Sequence, residues 1–143
     1  DPMSSFNAFL FFDGTAAQAM PFYQSVLGGK LDVMTFAQMP GAEQQQMSAA
    51  TAARVMHAML TFEGGQLMAS DTMEGQPHEG MRGFSLTLNK DTAAEAEQVF
   101  AALAEGGQVT MPIAPTFWAE RFGMCTDRFG TPWMVNGGMQ AHG

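Results

Sequence analysis

Cysteine, basic side chains and long apolar runs are scarce in this chain of 143 residues. Cys125 is the single cysteine, so neither an intramolecular disulfide nor a cysteine-rich zinc site can form. Six Lys and Arg against 14 Asp and Glu give a net charge of −8, which disfavours binding to nucleic acid or to an anionic membrane. No apolar run reaches the roughly 18 residues of a membrane-spanning helix, and no signal-peptide pattern opens the chain. We therefore predict a soluble cytoplasmic protein with no nucleic-acid and no membrane partner.

Hydrophobic residues make up 46% of the chain, which is enough for a sizeable core. Methionine is unusually frequent, with 14 residues, many of them in apolar stretches. A flexible thioether fills gaps in a core, and it can equally form the adaptable wall of a binding pocket. The composition leaves both interpretations open.

The chain also contains an internal repeat. The segment Thr15–Ala19 (TAAQA) recurs in the second half of the chain as Thr92–Ala96 (TAAEA). Two further matches follow in the same order along the chain. The glycine pair Gly28-Gly29 recurs as Gly106-Gly107. The spacing from Gly64 to Met68 recurs from Gly130 to Met134. These matches predict two similar modules, the first with about a dozen additional residues. The small, polar segment 40–53 is the expected position of this insertion.

Each module has the pattern of a strand, a helix and three further strands. Helices are predicted after Thr15 and after Asp91 or Thr92, which can cap them, and Pro21 either kinks the first helix or starts its regular part. The expected fold is α+β, a single domain over 3–138 built from two βαβββ modules, 3–74 and 82–138. Residues 139–143 form a tail, and Asp1 and Pro2 are interpreted as a cloning remnant. The predicted strands are Phe6–Phe12, Lys30–Gln38, Val55–Phe62, Gln66–Met73, Gly83–Asn89, Gln108–Ala114, Phe117–Asp127 and Pro132–Gly137.

Several segments resemble the vicinal oxygen chelate superfamily, which includes glyoxalase I and the bleomycin-resistance proteins. The segment Phe22–Leu31 resembles the first helix of that superfamily and the start of its second strand. Three further segments resemble its PhnB-like branch, namely Leu67–Asp71, Thr116–Ala119 and Phe122–Met134. The resemblance implies a cup of eight strands and a homodimer. PhnB-like proteins are often labelled 3-demethylubiquinone methyltransferases, but this sequence has no strand–GxGxG–helix cradle for an adenosyl cofactor.

Superfamily members of known reaction hold a divalent metal in this cup, through His or Glu at four strand positions. The resemblance assigns those positions to Asn7 (or its neighbour Ala8), Met68, Phe84 and Met134. An amide, two thioethers and a phenyl ring do not suit these ions, which prefer imidazole, carboxylate or carbonyl donors. We therefore predict that the cup holds no metal, and we expect no cofactor.

Other candidate binding residues lie in both modules. Phe117 and Trp118 beside Glu120 combine stacking surface with a polar anchor, which is typical of a small-molecule pocket. Alternatively, the two aromatic rings belong to the core and Glu120 to a solvated strand edge. His57 either lines the cavity or is an ordinary strand histidine. Asp71 ends an apolar strand, where its carboxylate either caps the next turn or faces the cavity.

The sequence thus favours a metal-free PhnB-like protein that binds a small apolar or aromatic molecule in its cup. The alternative is a lyase, isomerase or dioxygenase in which Glu120, His57 or Asp71 supplies acid–base chemistry. These three residues could also form a non-standard metal site, although no spacing indicates one. The candidate ligand-binding residues are Asn7, His57, Met68, Asp71, Phe84, Phe117, Trp118, Glu120 and Met134.

Overall fold

The computed structural model describes residues 5–139, which form two compact units that divide between Glu79 and Gly80. The interpretations given to Asp1, Pro2 and residues 140–143 of the tail lie outside the described residues, whereas Met139, the first residue of the expected tail, belongs to the last strand. The first unit contains β1 (Ala8–Phe12), α1 (Ala16–Leu27), β2 (Lys30–Thr35), two short 3-10 helices (Phe36–Gln38 and Ala42–Gln44), α2 (Ala49–Ala53), β3 (Val55–Phe62) and β4 (Gly65–Asp71). The second contains β5 (Leu86–Lys90), α3 (Ala93–Ala104), β6 (Gln108–Ala114), β7 (Ala119–Thr126) and β8 (Pro132–Met139).

Each unit contains a four-stranded sheet, and the two sheets have the same topology. The strand order is β1-β4-β3-β2 in the first sheet and β5-β8-β7-β6 in the second. In each sheet the first strand pairs in parallel with the last, and the other neighbours are antiparallel. The predicted α+β fold of two βαβββ modules with eight strands is therefore confirmed. No helix within residues 5–139 is long and apolar enough to cross a membrane.

The long helix of each unit covers one face of its sheet. In the first unit, α1 buries Met20 and Tyr23, and the Tyr23 ring lies 6.5 Å from that of Phe12 on β1. In the second, Gly123 and Gly137 lie beneath α3, because a Cβ atom at either position would collide with a side chain of that helix. Strand alternation then directs every second residue away from the helix. We call the face of each sheet opposite its helix the open face.

The two helices start in different ways. Thr92 caps α3 as predicted, since its hydroxyl accepts a hydrogen bond from the backbone N–H of Glu95 at 3.1 Å. Thr15 precedes α1 but makes no side-chain cap, which corrects the expected role of its hydroxyl. The first-turn N–H of Ala16 is instead bound by the carboxylate of Asp71, at 3.0 Å. Helix α1 continues through Pro21 to Leu27.

A glycine after each helix allows the chain to pass close to the sheet. A Cβ atom at Gly29 would collide with the carbonyl oxygen of Thr61, and one at Gly107 would collide with that of Thr126. Glycine permits this approach because it has no side chain. The repeated glycine pair of the sequence thus marks the same close contact in both units.

The segment 40–53 lies between β2 and β3, and it is more regular than its composition suggests. Residues Ala49–Ala53 form a short helix in which Ser48 accepts a hydrogen bond from the N–H of Thr51 at 3.0 Å. The hydroxyls of Ser48 and Thr51 both donate to Glu74, at 2.8 and 3.3 Å. The predicted insertion therefore ends in a helical turn, because local capping and the contacts to Glu74 stabilise it.

Candidate functional site

A row of methionines crosses the open face of the second sheet. Met111, Met124 and Met134 lie directly opposite one another on β6, β7 and β8, and Thr87 continues the row on β5. Met124 and Met134 are half-buried, whereas Met111 is exposed. We call the three methionines the thioether row. Their side chains give this face a soft, apolar and adaptable surface.

Aromatic rings adjoin the thioether row on the same face. Phe122 lies on the same side of β7 as Met124, and only 8% of it is exposed. The Trp118 ring packs edge-on against Phe122, with a centroid distance of 5.2 Å. Phe117 packs against Trp118 at 4.8 Å and is 78% exposed. The two predicted aromatic residues thus line one face, with Phe117 at its solvent side.

A chain of hydrogen bonds runs beside these rings. The indole Nε1–H of Trp118 donates to Oδ1 of Asn136 at 2.9 Å. Nδ2 of Asn136 donates to Oδ1 of Asn89 at 3.1 Å. We call these three residues the amide chain. An apolar face with a few placed polar groups is the usual composition of a small-molecule site.

Glu120 and Arg121 point to opposite sides of β7. Arg121 lies on the helix side, where its guanidinium forms an ion pair of 3.3 Å with Glu97 of α3. Glu120 is exposed on the open side, and its carboxylate lies against Gly138, where a Cβ atom would collide with it. Of this charged pair, only Glu120 therefore shares a face with the aromatic rings.

The open face of the first sheet is also apolar. Met59 and Met68 lie opposite each other on β3 and β4, and Met68 pairs with Phe9 on β1. His57 lies on the same face, with its ring 6.0 Å from that of Phe9. Phe11 follows on the edge strand and is 54% exposed. The predicted residues Met68 and His57 therefore share one surface.

Asp71 lies on the other side of that sheet, against the start of α1. The residue is 4% exposed, and its carboxylate accepts hydrogen bonds from the backbone N–H groups of Gly14, Ala16 and Val55 at 2.9, 3.0 and 2.8 Å. The carboxylate therefore binds the start of α1 and the start of β3, and neither the turn after β4 nor the open face, so both expected alternatives are corrected. Because His57 faces the open side, the two residues cannot hold one metal ion together, which corrects the non-standard metal site considered above. Among residues 5–139 no three His, Cys, Asp or Glu side chains are grouped as a metal site would require.

The strand register also changes the equivalences expected from the repeat. Leu86 is the counterpart of Ala8, because these residues pair with the equivalent positions Trp133 and Leu67. Phe84 is therefore not the counterpart of Asn7, which is half-buried and precedes β1. Phe84 itself precedes β5 and is 45% exposed. The β5 residue beside Met134 is Thr87.

The residues at the positions that the resemblance assigns to the superfamily's metal do not fit a divalent ion. Met68 and Met134 present thioethers at the centres of their open faces, and their neighbours in register are Phe9, Met59, Thr87 and Met124. Thioethers are soft, uncharged ligands that bind hard divalent ions poorly. No step of a metal-dependent reaction can therefore be derived from these positions.

Two residues on the helix side of the second sheet are structural. The indole N–H of Trp133 donates to the buried carboxylate of Asp127 at 2.8 Å. Cys125 is 1% exposed, and burial, assisted by the nearby charge of Asp127, raises the pKa of its thiol to about 11. A thiol that stays protonated is a poor nucleophile.

Sequence reasoning missed Asn89, Asn136 and Phe122 as site residues. Asn136 and Asn89 fall inside predicted strands, and the structure shows that they are paired in register and bonded through their side chains. Alternation along β7 and β8 could have revealed them, since Phe122 and Asn136 each lie on the same side of a strand as a methionine of the thioether row.

Comparison with known proteins agrees with this architecture. Residues 4–136 match the family described as 3-demethylubiquinone-9 3-methyltransferase. Protein YjdN of Escherichia coli K12 is 33% identical over 137 residues, covering 91% of this chain and 92% of YjdN. The crystal structure of PA1353 from Pseudomonas aeruginosa is 44% identical, with a TM-score of 0.85, covering 94% of this chain and 97% of that one.

More distant structures share the fold. A PhnB protein from Bacillus cereus is 25% identical with a TM-score of 0.73, over 94% of this chain and 99% of that one. A glyoxylase/bleomycin resistance protein/dioxygenase domain from Frankia is 12% identical with a TM-score of 0.66, over 98% and 96%, and shows the fold alone. The chain therefore belongs to the PhnB-like family described as 3-demethylubiquinone-9 3-methyltransferase, and it has the fold of the glyoxalase and bleomycin-resistance proteins.

Proposed function

We propose that this protein binds a small apolar or aromatic molecule, without a metal, on the open face of its second sheet. The observation that carries the proposal is the combination of the thioether row with the amide chain on that face. The thioethers and rings would bury the ligand's apolar surface, and the amides would orient it. Trp118, Phe117, Met134 and Glu120, from the predicted set, belong to this face.

An enzyme of the lyase, isomerase or dioxygenase type is less well supported by the residues of this face. Such a reaction needs an acid or base within reach of the substrate. Of the three candidates, Asp71 uses its carboxylate to bind three backbone N–H groups, and His57 lies on the first sheet. Of these candidates, only Glu120 lies on the open face of the second sheet. A binding protein requires no further group.

Methyl transfer, which the family's description names, has little support from the described residues. An adenosyl cofactor is commonly held where a parallel strand runs into a glycine-rich turn and a helix. Within residues 5–139 each sheet has one pair of parallel strands, and none of these four strands is followed by a GxGxG turn. Methyl transfer is therefore not part of the proposal.

A homodimer is part of the proposed assembly. Phe9, Phe11 and Met34 on the open face of the first sheet are 40%, 54% and 37% exposed. Exposed apolar side chains on one face of a sheet are often covered by a partner in solution. Light scattering at micromolar concentration should give twice the chain mass of 15.4 kDa. A monomer mass would contradict the dimer and leave the binding proposal unchanged.

Binding is tested with a neutral aromatic probe, N-phenyl-1-naphthylamine, whose fluorescence rises in apolar surroundings. We expect saturable fluorescence with wild-type protein treated with chelator. Met134→Glu should weaken binding by about tenfold or more, because a carboxylate beside an apolar ligand must lose part of its hydration.

The matched control is Met73→Glu, since Met73 is exposed and lies outside the strands, after β4. It adds the same charge and should leave the dissociation constant unchanged. Equal loss in both variants would indicate a general charge effect and count against the assigned face. Absence of saturable binding by the wild type, or binding only after Zn²⁺ or Ni²⁺ is added, would contradict the proposed function.

A further inference from the structure

The indole of Trp118 fixes the direction of the hydrogen bonds along the amide chain. The indole Nε1 of Trp118 carries a hydrogen and cannot accept one, so it must donate to Asn136. Asn136 therefore turns Oδ1 towards Trp118 and Nδ2 towards Asn89. Asn89 accepts through Oδ1, which leaves its own Nδ2 at the outer end of the chain.

Burial of Asn136 keeps this direction unchanged. Only 7% of Asn136 is exposed, and a flipped amide would place its NH₂ group against the indole N–H. Two donors would then face each other at a buried amide, which is unfavourable. The orientation of Asn136 in turn fixes that of Asn89.

The outer amide is available to a ligand. Asn89 is exposed, and within residues 5–139 its Nδ2 has no acceptor. It lies one strand away from Asn136 and on the same side of β5 as Thr87, which adjoins Met134. A donor that is oriented in advance loses little freedom when it binds, which favours a recognition role.

We propose that Asn89 donates a hydrogen bond to an uncharged oxygen acceptor of the ligand, such as a ketone carbonyl. This inference rests on the proposed function and names its ligand class: an apolar or aromatic molecule that carries a carbonyl or ether oxygen. The rings of Trp118 and Phe122 would contact its apolar part. Glu120 on the same face and the net charge of −8 disfavour a carboxylate ligand.

The test compares two probes of the same shape, 2-acetylnaphthalene and 2-isopropenylnaphthalene, which differ in a carbonyl oxygen against a methylene group. Their dissociation constants are measured with wild type, Asn89→Asp and Asn89→Ala. Both variants remove the donor, and the aspartate still accepts from Asn136. We expect the preference for the ketone to fall by about fivefold in both variants, the value of one neutral hydrogen bond. Affinity for the hydrocarbon should stay unchanged in Asn89→Ala. In Asn89→Asp the new carboxylate can weaken binding of both probes, so the ratio of the two dissociation constants is the readout there.

The control is Gln98→Glu, which makes the same amide-to-carboxylate change at an exposed position of α3. It should keep the wild-type preference. If both probes bind and the Asn89 variants keep the ketone preference, the role of Asn89 is overturned and the proposed function stands. If neither probe binds the wild type, both proposals fail.

A second readout is the side-chain amide resonance of Asn89 in ¹⁵N-labelled protein. It should move downfield with the ketone and stay in place with the hydrocarbon. Equal movement with both probes would overturn the hydrogen bond.

Discussion

Replacing Asp71 with asparagine tests whether this residue supports the fold or contacts a ligand. The two side chains have almost the same shape, so the change removes charge and acceptors without leaving a cavity. In the wild type, Oδ1 accepts from Gly14 and Ala16, and Oδ2 accepts from Val55. In the variant, the favoured orientation keeps Oδ1 in place and turns the NH₂ group towards the N–H of Val55.

The expected loss follows from these contacts. A buried N–H left without an acceptor costs about 1–3 kcal/mol. Removing a negative charge that lies beside the N-terminus of α1 costs about a further 0.3–1 kcal/mol. We therefore expect Asp71→Asn to lower the free energy of unfolding by about 1–4 kcal/mol.

Urea denaturation followed by circular dichroism measures this loss, and N-phenyl-1-naphthylamine binding is measured at a temperature where the variant is folded. The control is Asp32→Asn, an exposed carboxylate on β2, which should change stability by less than about 0.5 kcal/mol. Unchanged stability of Asp71→Asn together with lost probe binding would refute the capping role and indicate that Asp71 contacts the ligand.

Three further predictions concern the glycines, the thiol and metal ions. In urea denaturation, Gly107→Ala should destabilise the protein by more than about 3 kcal/mol, because its Cβ atom would collide with backbone. Gly130→Ala should cost about 1 kcal/mol, because open space surrounds Gly130 and only its φ of 93° is unfavourable for alanine. Equal losses would contradict the close contact at Gly107. Cys125 should resist Ellman's reagent in mildly alkaline buffer until urea unfolds the chain. Rapid modification of the folded protein would contradict the burial of Cys125. Because the pKa of the thiol is about 11 in the folded protein and ordinarily 9.0, the contribution of Cys125 to stability should be full below pH 9.0 and should decline between pH 9.0 and 11. Cys125→Ala should remove that decline. Neither Zn²⁺ nor Ni²⁺ should raise the melting temperature of the wild type, since an ion that bound the native state would stabilise it. A rise in melting temperature that is complete at a stoichiometric amount of ion would contradict the conclusion that Met68 and Met134 are poor ligands for these ions.

Much of the fold could be predicted because local patterns and the repeat agree. Strands β3 and β6 have the bounds that alternation predicted, and the glycine pairs locate both helix ends. Prediction was poorer where a distant residue decides the local structure. Asp71 replaces Thr15 as the partner of the α1 N-terminus, and a pattern within α1 cannot reveal a carboxylate from β4.

The candidate site was predicted in part for a related reason. Trp118 stands out in the sequence as one of two adjacent aromatic residues, and Met134 is a candidate because the resemblance assigns it to a metal position of the superfamily. Asn136 acquires its importance from Trp118 and Asn89, which are distant from it in the chain and reach it only because the strands pair. The register error at Phe84 has the same origin, since a shift of one residue between modules is visible only in the strand pairs.

Methionine methyl resonances offer the most direct test of the central claim, that a metal-free open face of the second sheet binds an apolar molecule. Chelator-treated protein labelled with ¹³C at the methionine methyl groups is titrated with N-phenyl-1-naphthylamine. The account predicts saturable shifts for Met124 and Met134. It predicts none for Met20, a buried residue of α1, or for Met73 outside the strands. Shifts confined to other methionines, or shifts that require added Zn²⁺ or Ni²⁺, would contradict it.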